Sequence, residues 1–321
     1  MRVTPGMLSS QILFDIQNNY QQLSTLENES ATGHKINTPS DDPIGVQQVM
    51  QLTNETSFDT QYGQNATNAQ AQLNFVSSTM TEAQNVLSNA RDLALEGANS
   101  TETPSDMQAI AAQVGQLYNQ LVTIGNSQYN GQYIFNGQDT DTPPYPPQAA
   151  NVTPDQATGE LDPSTKTTNS GKVYVNLGNG VTIPVSASGN DFFKAAPSGS
   201  SSSSGASSDS SQNAFSLLSQ LYTALNNGDT SQVGSLVSSI DSVLDNMNQQ
   251  QANVGSLIDR AQMMQTRMSN LSTSVTQQLS NVQDADMATV LTQLNSAMTV
   301  EQASVEVGAQ ALPMSLVNFL K

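Results

Sequence analysis

The fold is decided by the stretch Val233–Val282, which reads VGSLVSSIDSVLDNMNQQQANVGSLIDRAQMMQTRMSNLSTSVTQQLSNV. Alternating steps of four and three residues through it land on apolar side chains almost throughout. The seam is interrupted at Gln251, Gln265 and Ser272. A repeat of about 3.5 residues held over several heptads is typical of a helix that packs lengthwise against other helices. The stretch therefore predicts one long helix in an elongated, mainly α-helical rod.

The phase of this seam changes at Asp284-Ala285-Asp286. Beyond it, apolar residues recur only if the frame moves by one position, and one residue turns a helix face by about 100°. We therefore predict a hinge at Asp284 and Asp286, followed by a terminal helix that faces a different partner. Its stripe consists of Met287, Leu291, Leu294, Met298, Val305 and Leu312.

The start of the chain carries a seam of similar length and period, formed by Ile12, Ile16, Leu23 and Leu26. Short helices are marginal in water unless their apolar face is covered. We therefore expect the two chain ends to pair as coiled-coil helices. Neighbouring subunits should then bury the apolar surface that remains, so that both seams form an assembly interface.

A turn-rich connector follows the first helix and ends in Asp41-Asp42-Pro43. Asp42 is suited to cap the next helix, because a carboxylate oxygen can accept the free backbone N–H groups there and proline fits the first helical position. A metal site on Asp41 and Asp42 is the weaker alternative, since two adjacent carboxylates do not surround an ion. The connector and helix cap are therefore assigned to Asp41, Asp42 and Pro43.

The middle of the chain changes character. Asn130-Gly131 and Gly178-Asn179-Gly180 each stand between segments with strand character, which indicates two hairpins. Ser198 to Ser211 is a low-complexity linker. These features predict a small β-rich domain inserted into the helical one, and we expect it to fold separately.

Three domains follow from these patterns. Residues 1–42 and 285–321 are predicted to form a terminal helical assembly domain. Residues 43–138 and 212–284 should form the helical rod. Residues 139–211 should form the inserted β-rich outer domain with its serine-rich linker.

The composition excludes several classes of function. The chain of 321 residues has no cysteine, no tryptophan and one histidine, so thiol, disulfide and histidine-based chemistry are not expected. Its net charge of -18 repels the phosphates of nucleic acids. No apolar run approaches the ~20 residues that span a membrane. We therefore predict no catalytic, cofactor or metal site, and a protein that acts by assembling.

Several motifs near the two ends resemble those of the bacterial flagellins. They are Gly33-His34-Lys35-Ile36-Asn37, Ala90-Arg91-Asp92-Leu93-Ala94 and Asp284-Ala285-Asp286-Met287-Ala288. Within that family the chain looks most like the adaptors of the hook–filament junction. The motifs behind this second resemblance are Ser40-Asp41-Asp42-Pro43, Asn130-Gly131-Gln132-Tyr133-Ile134-Phe135-Asn136-Gly137 and Ser188-Gly189-Asn190-Asp191-Phe192-Phe193.

The resemblance implies a structural, non-enzymatic subunit that joins the hook to the filament by helical self-assembly. It implies copies of the same chain, hook-associated protein 1, flagellin, an export chaperone and the type III export apparatus as partners, with secretion to the extracellular flagellum without a cleaved signal peptide. Nucleic acid and membrane insertion are not expected. A short flagellin is the alternative within the family, and a surface adhesin that binds through the β-rich insert is the alternative of another class.

Overall fold

The structure is a computed structural model that describes residues 5–99, 103–146, 153–154, 162–194 and 213–319. It divides into two compact units, one formed by Met1–Thr60 with Ser269–Lys321 and the other by Gln61–Met268. Helices dominate both units, which confirms the mainly α fold class. The helices are α1 (Pro5–Thr32), α2 (Pro43–Gly97), α3 (Pro104–Gly125), α4 (Gly189–Phe192), α5 (Ala214–Asn227), α6 (Thr230–Gln283) and α7 (Met287–Phe319).

The long helix predicted from the apolar seam is α6. Its seam positions Val233, Ile240, Met247 and Ala261 are completely buried. Of the intervening seam positions, Val254 is buried and the others are half-buried, as expected where side chains of one helix pack between those of another. In the second unit, Arg91 of α2 forms an ion pair with Asp241 of α6.

Helices α3 and α5 complete the helical part of the second unit. Thr103 and Asp106 form a capping box at the start of α3, with the Thr103 side chain accepting the Asp106 N–H. Inside the unit, Tyr118 of α3 meets Phe215 of α5 edge-on, with ring centroids 6.5 Å apart. This aromatic contact joins α3 and α5 in the core.

Both predicted hairpins are present. Strands β1 (Gln128–Tyr129) and β2 (Gln132–Tyr133) pair antiparallel around Asn130-Gly131, whose φ angles are 50° and 80°. Two successive positive φ angles define the tight turn that the Asn-Gly pair favours. Strands β3 (Tyr174–Gly178) and β4 (Val181–Pro184) form the second antiparallel pair.

The described residues of the insert share a hydrophobic core with the helices, and separate folding of the insert stays a prediction. Leu177 and Ile183 of the second hairpin are fully buried in the same hydrophobic cluster as residues of α2, α3, α5 and α6. The α6 residue Asn246 also donates from Nδ2 to the carbonyls of Asp191 and Lys194, at 2.7 and 2.9 Å. A four-residue and a five-residue strand cannot enclose a core of their own, so they share the helical one. The serine run from 198 to 211 lies outside the described residues.

Candidate assembly surface

The terminal helices α1 and α7 pair with each other, as the two matching seams predict. The two helices come close together at Gly308, where a Cβ atom would lie 2.9 Å from Ile16 Cδ1 and 3.5 Å from Ile12 Cγ2. One turn earlier on α7, Ser304 Oγ accepts a hydrogen bond from Asn19 Nδ2 at 3.3 Å. A glycine and a serine therefore allow the two backbones to come together.

The predicted interface residues of α1 lie on the side that faces α7. Ile12, Ile16 and Leu23 are half-buried, and Leu26 is buried. These residues consequently contribute to the pair within one chain.

The predicted interface residues of α7 are mostly left uncovered. Met287, Leu291, Met298 and Val305 are 37%, 46%, 44% and 47% exposed, and only Leu294 is half-buried. The less exposed positions of α7 are instead Val290, Leu294, Ala297, Glu301, Ser304 and Gly308. The side chain of Leu312 lies outside the described side chains. The apolar stripe of α7 is thus wider than the contact with α1, and most of the stripe faces away from that contact.

Other exposed apolar residues were missed by the sequence reasoning. Met7, Leu13, Phe14 and Tyr20 of α1 are 62%, 49%, 58% and 64% exposed. Val300 and Val307 of α7 are 49% and 58% exposed. Residues of this set recur at seven-residue spacing, as Met7 and Phe14, Leu13 and Tyr20, and Val300 and Val307 do. This seven-residue spacing was the sequence signal that could have indicated a second apolar face on each helix.

Polar side chains line one part of the contact inside the pair. A cavity of about 270 Å³ in this unit is lined by Asn19, Gln22, Gln293, Ser296, Ala297 and Val300. Because many large apolar side chains of both helices lie outside the contact, the pair by itself leaves much hydrophobic surface uncovered. The exposed apolar side chains of both helices are available for contact with another molecule, and we call them the terminal apolar surface. They are Met7, Leu13, Phe14, Tyr20, Met287, Leu291, Met298, Val300, Val305 and Val307.

The connector and the predicted hinge lie side by side. The Lys35 N–H donates to the Gln283 carbonyl at 2.8 Å, and the Ala285 N–H donates to the Gly33 carbonyl at 2.9 Å. His34 Nδ1 lies 3.1 Å from Asp284 Oδ1. The residues after α1 and those before α7 are thereby joined by a short antiparallel bridge.

Carboxylates hold both segments in place. Asp42 Oδ1 accepts the Ile44 N–H at 3.0 Å at the start of α2, and Asp286 Oδ1 accepts the Ala288 N–H at 3.1 Å at the start of α7. Asp41 Oδ2 accepts the Thr38 and Asn37 N–H groups, which fold the connector back on itself. The structure therefore places Asp42 and Asp286 at helix starts; movement at Asp284 and Asp286 stays a prediction.

The hydrogen bonds favour the ionised form of these side chains. The pKa of Asp41 is lowered, mainly by the backbone N–H of Thr38. The pKa of Asp286 is lowered by the Thr289 hydroxyl and the nearby backbone N–H groups. The pKa of Asp284 is lowered by Ser280 and, to a smaller extent, by His34. All three carboxylates are accordingly charged at neutral pH.

The described part of the chain has no cluster of three or more His, Asp or Glu side chains suited to a metal ion. Among its helices, none has a stretch that is both long and apolar enough to cross a membrane. The terminal apolar surface is the feature that distinguishes this unit, and its chemistry is that of protein–protein contact.

Two family sequence patterns match the chain. The bacterial flagellin N-terminal helical region matches residues 5–140, and the bacterial flagellin C-terminal helical region matches residues 237–320. The two matches together include α1, α7 and the connector. They leave most of the β-rich insert outside.

Individual relatives agree with these patterns. Flagellar hook-associated protein 3 of Salmonella typhimurium is 28% identical over 160 residues, an alignment that covers 50% of this chain and 48% of the relative. Polar flagellin C of Vibrio parahaemolyticus is 30% identical over 117 residues, covering 36% of this chain and 30% of that protein. The chain thus spans about half the length of the first relative and less of the second.

A solved structure has the same fold. The crystal structure of the flagellar junction protein FlgL from Legionella pneumophila superimposes with a TM-score of 0.56 at 14% identity. The superposition covers 73% of this chain and 100% of that one. The likeness is one of overall fold.

Proposed function

Because this chain belongs to the bacterial flagellin family, we propose that it is a structural subunit of the flagellum that joins the hook to the filament. The observation that supports this most directly is the terminal apolar surface on the paired helices α1 and α7. A subunit that forms a layer between two tubes needs such a surface, since each copy must be covered by its neighbours on several sides. The alignment with hook-associated protein 3 supports the junction as its place.

The proposed partners follow from this role. Copies of the same chain would cover the terminal apolar surface in a ring or helical layer. Hook-associated protein 1 would lie on the hook side and flagellin on the filament side. Delivery would require an export chaperone and the flagellar type III export apparatus, so that the protein acts outside the cell.

The test compares exposed residues of α7 with a buried neighbour. Leu291→Ser with Met298→Ser removes two exposed side chains, so the stability of the free monomer should change by about 0.5 kcal/mol or less. Cells that carry this variant should secrete the protein but fail to retain filaments. The measurements are thermal unfolding of the purified chain, its amount in the culture medium, and electron microscopy of flagella.

Val290→Ser is the matched control, because Val290 is only 5% exposed and directly precedes Leu291. It should lower the stability of the terminal unit by roughly 1–3 kcal/mol, since a hydroxyl replaces a buried apolar group. Normal filaments in the Leu291 and Met298 variant would overturn the proposed use of this surface. A large loss of monomer stability in that variant would do so as well.

A short flagellin is the second candidate, and the 30% identity to polar flagellin C favours it. The two candidates differ in copy number along the flagellum. An antibody against the chain should label a narrow zone beside the hook if it is the adaptor. Label along the whole filament would instead support the flagellin alternative.

A further inference from the structure

The second unit contains a cavity of about 520 Å³ that the assembly role does not use. It lies where the 3-10 helix Pro163–Thr165, helix α4 and the first turn of α5 meet. Pockets of about 300–1,000 Å³ with a few converging polar groups are the usual size for small-molecule sites. The side chains that matter here are Tyr145, Lys166, Lys194, Asn213 and Gln220.

Two lysines line the cavity in a strongly acidic protein. The chain has a net charge of -18 and five lysines, of which Lys166 and Lys194 are at this one place. Both side chains are half-buried. Neither ammonium group forms an ion pair with a carboxylate within the described part of the chain. Partly buried, unpaired cations of this kind are stabilised by an anion.

The hydroxyl of Tyr145 is a third donor. Tyr145 is 3% exposed, and its ring packs against Phe193 and Phe215, with centroids 5.8 and 4.5 Å away. The hydroxyl lies over Gly189, another residue of the cavity wall, where a Cβ atom would collide with it. Within the residues that the structure describes, the hydrogen bonds of Tyr145 are made by its backbone, to Asn126. The hydroxyl is therefore available to donate a hydrogen bond to a molecule in the cavity.

The protonation of Tyr145 suits an anion. Burial raises the pKa of Tyr145, so the hydroxyl keeps its proton and can donate it to an anion. Helix α5 starts at the same cavity, and its first N–H groups point toward its N-terminal end, where Asn213 accepts the Ser216 N–H at 2.8 Å. The partial positive charge of that helix end acts in the same direction as the two lysines.

We propose that this cavity is a binding site for a small anion, namely a polar molecule that presents a carboxylate or phosphate group to Lys166, Lys194 and Tyr145. Gln220 and the polar wall of the cavity offer hydrogen bonds to hydroxyl groups on the rest of the molecule. A hydroxylated acid, such as a uronic acid or a sugar phosphate, has the size and polarity that these groups fit. This site is distinct from the terminal apolar surface and goes beyond the structural role.

The test uses the full chain and three probes at a constant ionic strength of about 0.15 M, where non-specific charge attraction is screened. The probes are glucuronate for the carboxylate, inorganic phosphate for the phosphate, and glucose as the neutral counterpart. Isothermal titration calorimetry should show saturable one-to-one binding of glucuronate, phosphate or both, and none of glucose. Comparison of the first two probes identifies which anionic group the site prefers.

Variants distinguish binding in the cavity from nonspecific electrostatic attraction. Lys166→Gln with Lys194→Gln should weaken anion binding about tenfold or more, and Tyr145→Phe, which removes one oxygen, should weaken it several-fold. Lys172→Gln is the matched control, because Lys172 is a lysine of the same unit that lines a different cavity. It should leave binding unchanged. Thermal unfolding checks that each variant is folded, and Tyr145→Phe serves alone if the lysine variant is not.

Two results would overturn the proposal. One is the absence of saturable binding of either anion to the wild-type chain. The other is equal weakening by Lys172→Gln and by the lysine pair, since that pattern belongs to diffuse attraction by net charge. Unchanged affinity in a folded Tyr145→Phe variant would show that the Tyr145 hydroxyl does not contact the anion, which contradicts its proposed part in the site.

Discussion

Gln265 of α6 donates from Nε2 to the Thr67 hydroxyl of α2 at 3.0 Å. Gln251 makes the same bond to Thr81 at 2.8 Å, so the two pairs are equally spaced along both antiparallel helices. Both glutamines are breaks in the apolar seam of α6, and each is matched by a threonine on the facing helix. Apolar seams tolerate slippage by a heptad, whereas a polar pair is satisfied in few registers. The interruptions therefore help to fix how α2 and α6 align.

The first prediction concerns this pairing. Thr67→Val keeps the shape of the side chain but removes the acceptor, so the free energy of unfolding should fall by about 1 kcal/mol. Adding Gln265→Leu should recover most of the loss, because no half-buried amide is then left without a partner. Urea unfolding of the two single variants and the double variant gives the coupling energy. Strictly additive effects would show that the hydrogen bond contributes nothing.

The same helices show what could be predicted from sequence. The seam from Val233 onward and the Asn130-Gly131 turn are local patterns, and each specifies its structure through a period or a required φ angle. Local sequence patterns could not predict which face of α7 packs against α1. This face contains Ala297, Ser304 and Gly308, whose small size allows the helices to approach closely. A search for apolar periodicity detects large apolar residues and therefore overlooks such a face.

The shared core of the insert escaped prediction for a different reason. Leu177 and Ile183 lie in segments where apolar and polar residues alternate. Such alternation predicts only that one face of each strand is buried. It does not identify the element that covers the face. Here the covering elements are helices far away in the chain, which no local pattern of residues specifies.

The second prediction tests whether α1 and α7 pair in the free chain. Asn19→Cys with Ser304→Cys places two thiols at positions whose side chains are 3.3 Å apart in the wild-type chain. The natural sequence has no cysteine, so these would be the only thiols present. Mild oxidation of the dilute monomer should give an intramolecular disulfide, measured by the shift in mobility on a non-reducing gel.

Gly308→Val provides the control for that experiment. A side chain there would meet Ile16 Cδ1, whose distance to an added Cβ is already 2.9 Å. The valine side chain displaces Ile16 Cδ1 and also crowds Ile12 Cγ2, so we expect the helices to move apart and the yield of the engineered disulfide to drop. An unchanged yield would mean that the isoleucine side chains move aside and the helices keep their spacing.

The third prediction concerns acid. The pKa values of Asp41, Asp284 and Asp286 are lowered from the ordinary value of 3.8. Folding thus favours the ionised forms, and the stabilisation is complete above the ordinary pKa and is lost as the pH falls through the lowered values. The bridge between the connector and the start of α7 should loosen below about pH 4. Amide chemical shifts of Lys35 and Ala285 followed through an acid titration would report it.

Asp286→Asn isolates one contribution to this acid response. The amide keeps an oxygen for the Ala288 N–H but does not titrate, so the Ala285 signal should depend less on pH in this range. An identical titration curve in wild type and variant would assign the transition to other groups.

The last prediction concerns the core that the insert shares with the helices. Leu177 lies on β3 and is completely buried in the cluster that includes residues of α2 and α6. Leu177→Ala should lower the stability of the helical unit by about 2–5 kcal/mol, because it opens a cavity inside a common core. Tyr174→Ala on the same strand is the control, since Tyr174 is 59% exposed and should cost far less. Far-UV circular dichroism measures the helices, to which a separately folded insert would contribute little. If the helical transition of Leu177→Ala coincides with that of wild type, then the insert is energetically independent and the shared cluster does not stabilise the helices.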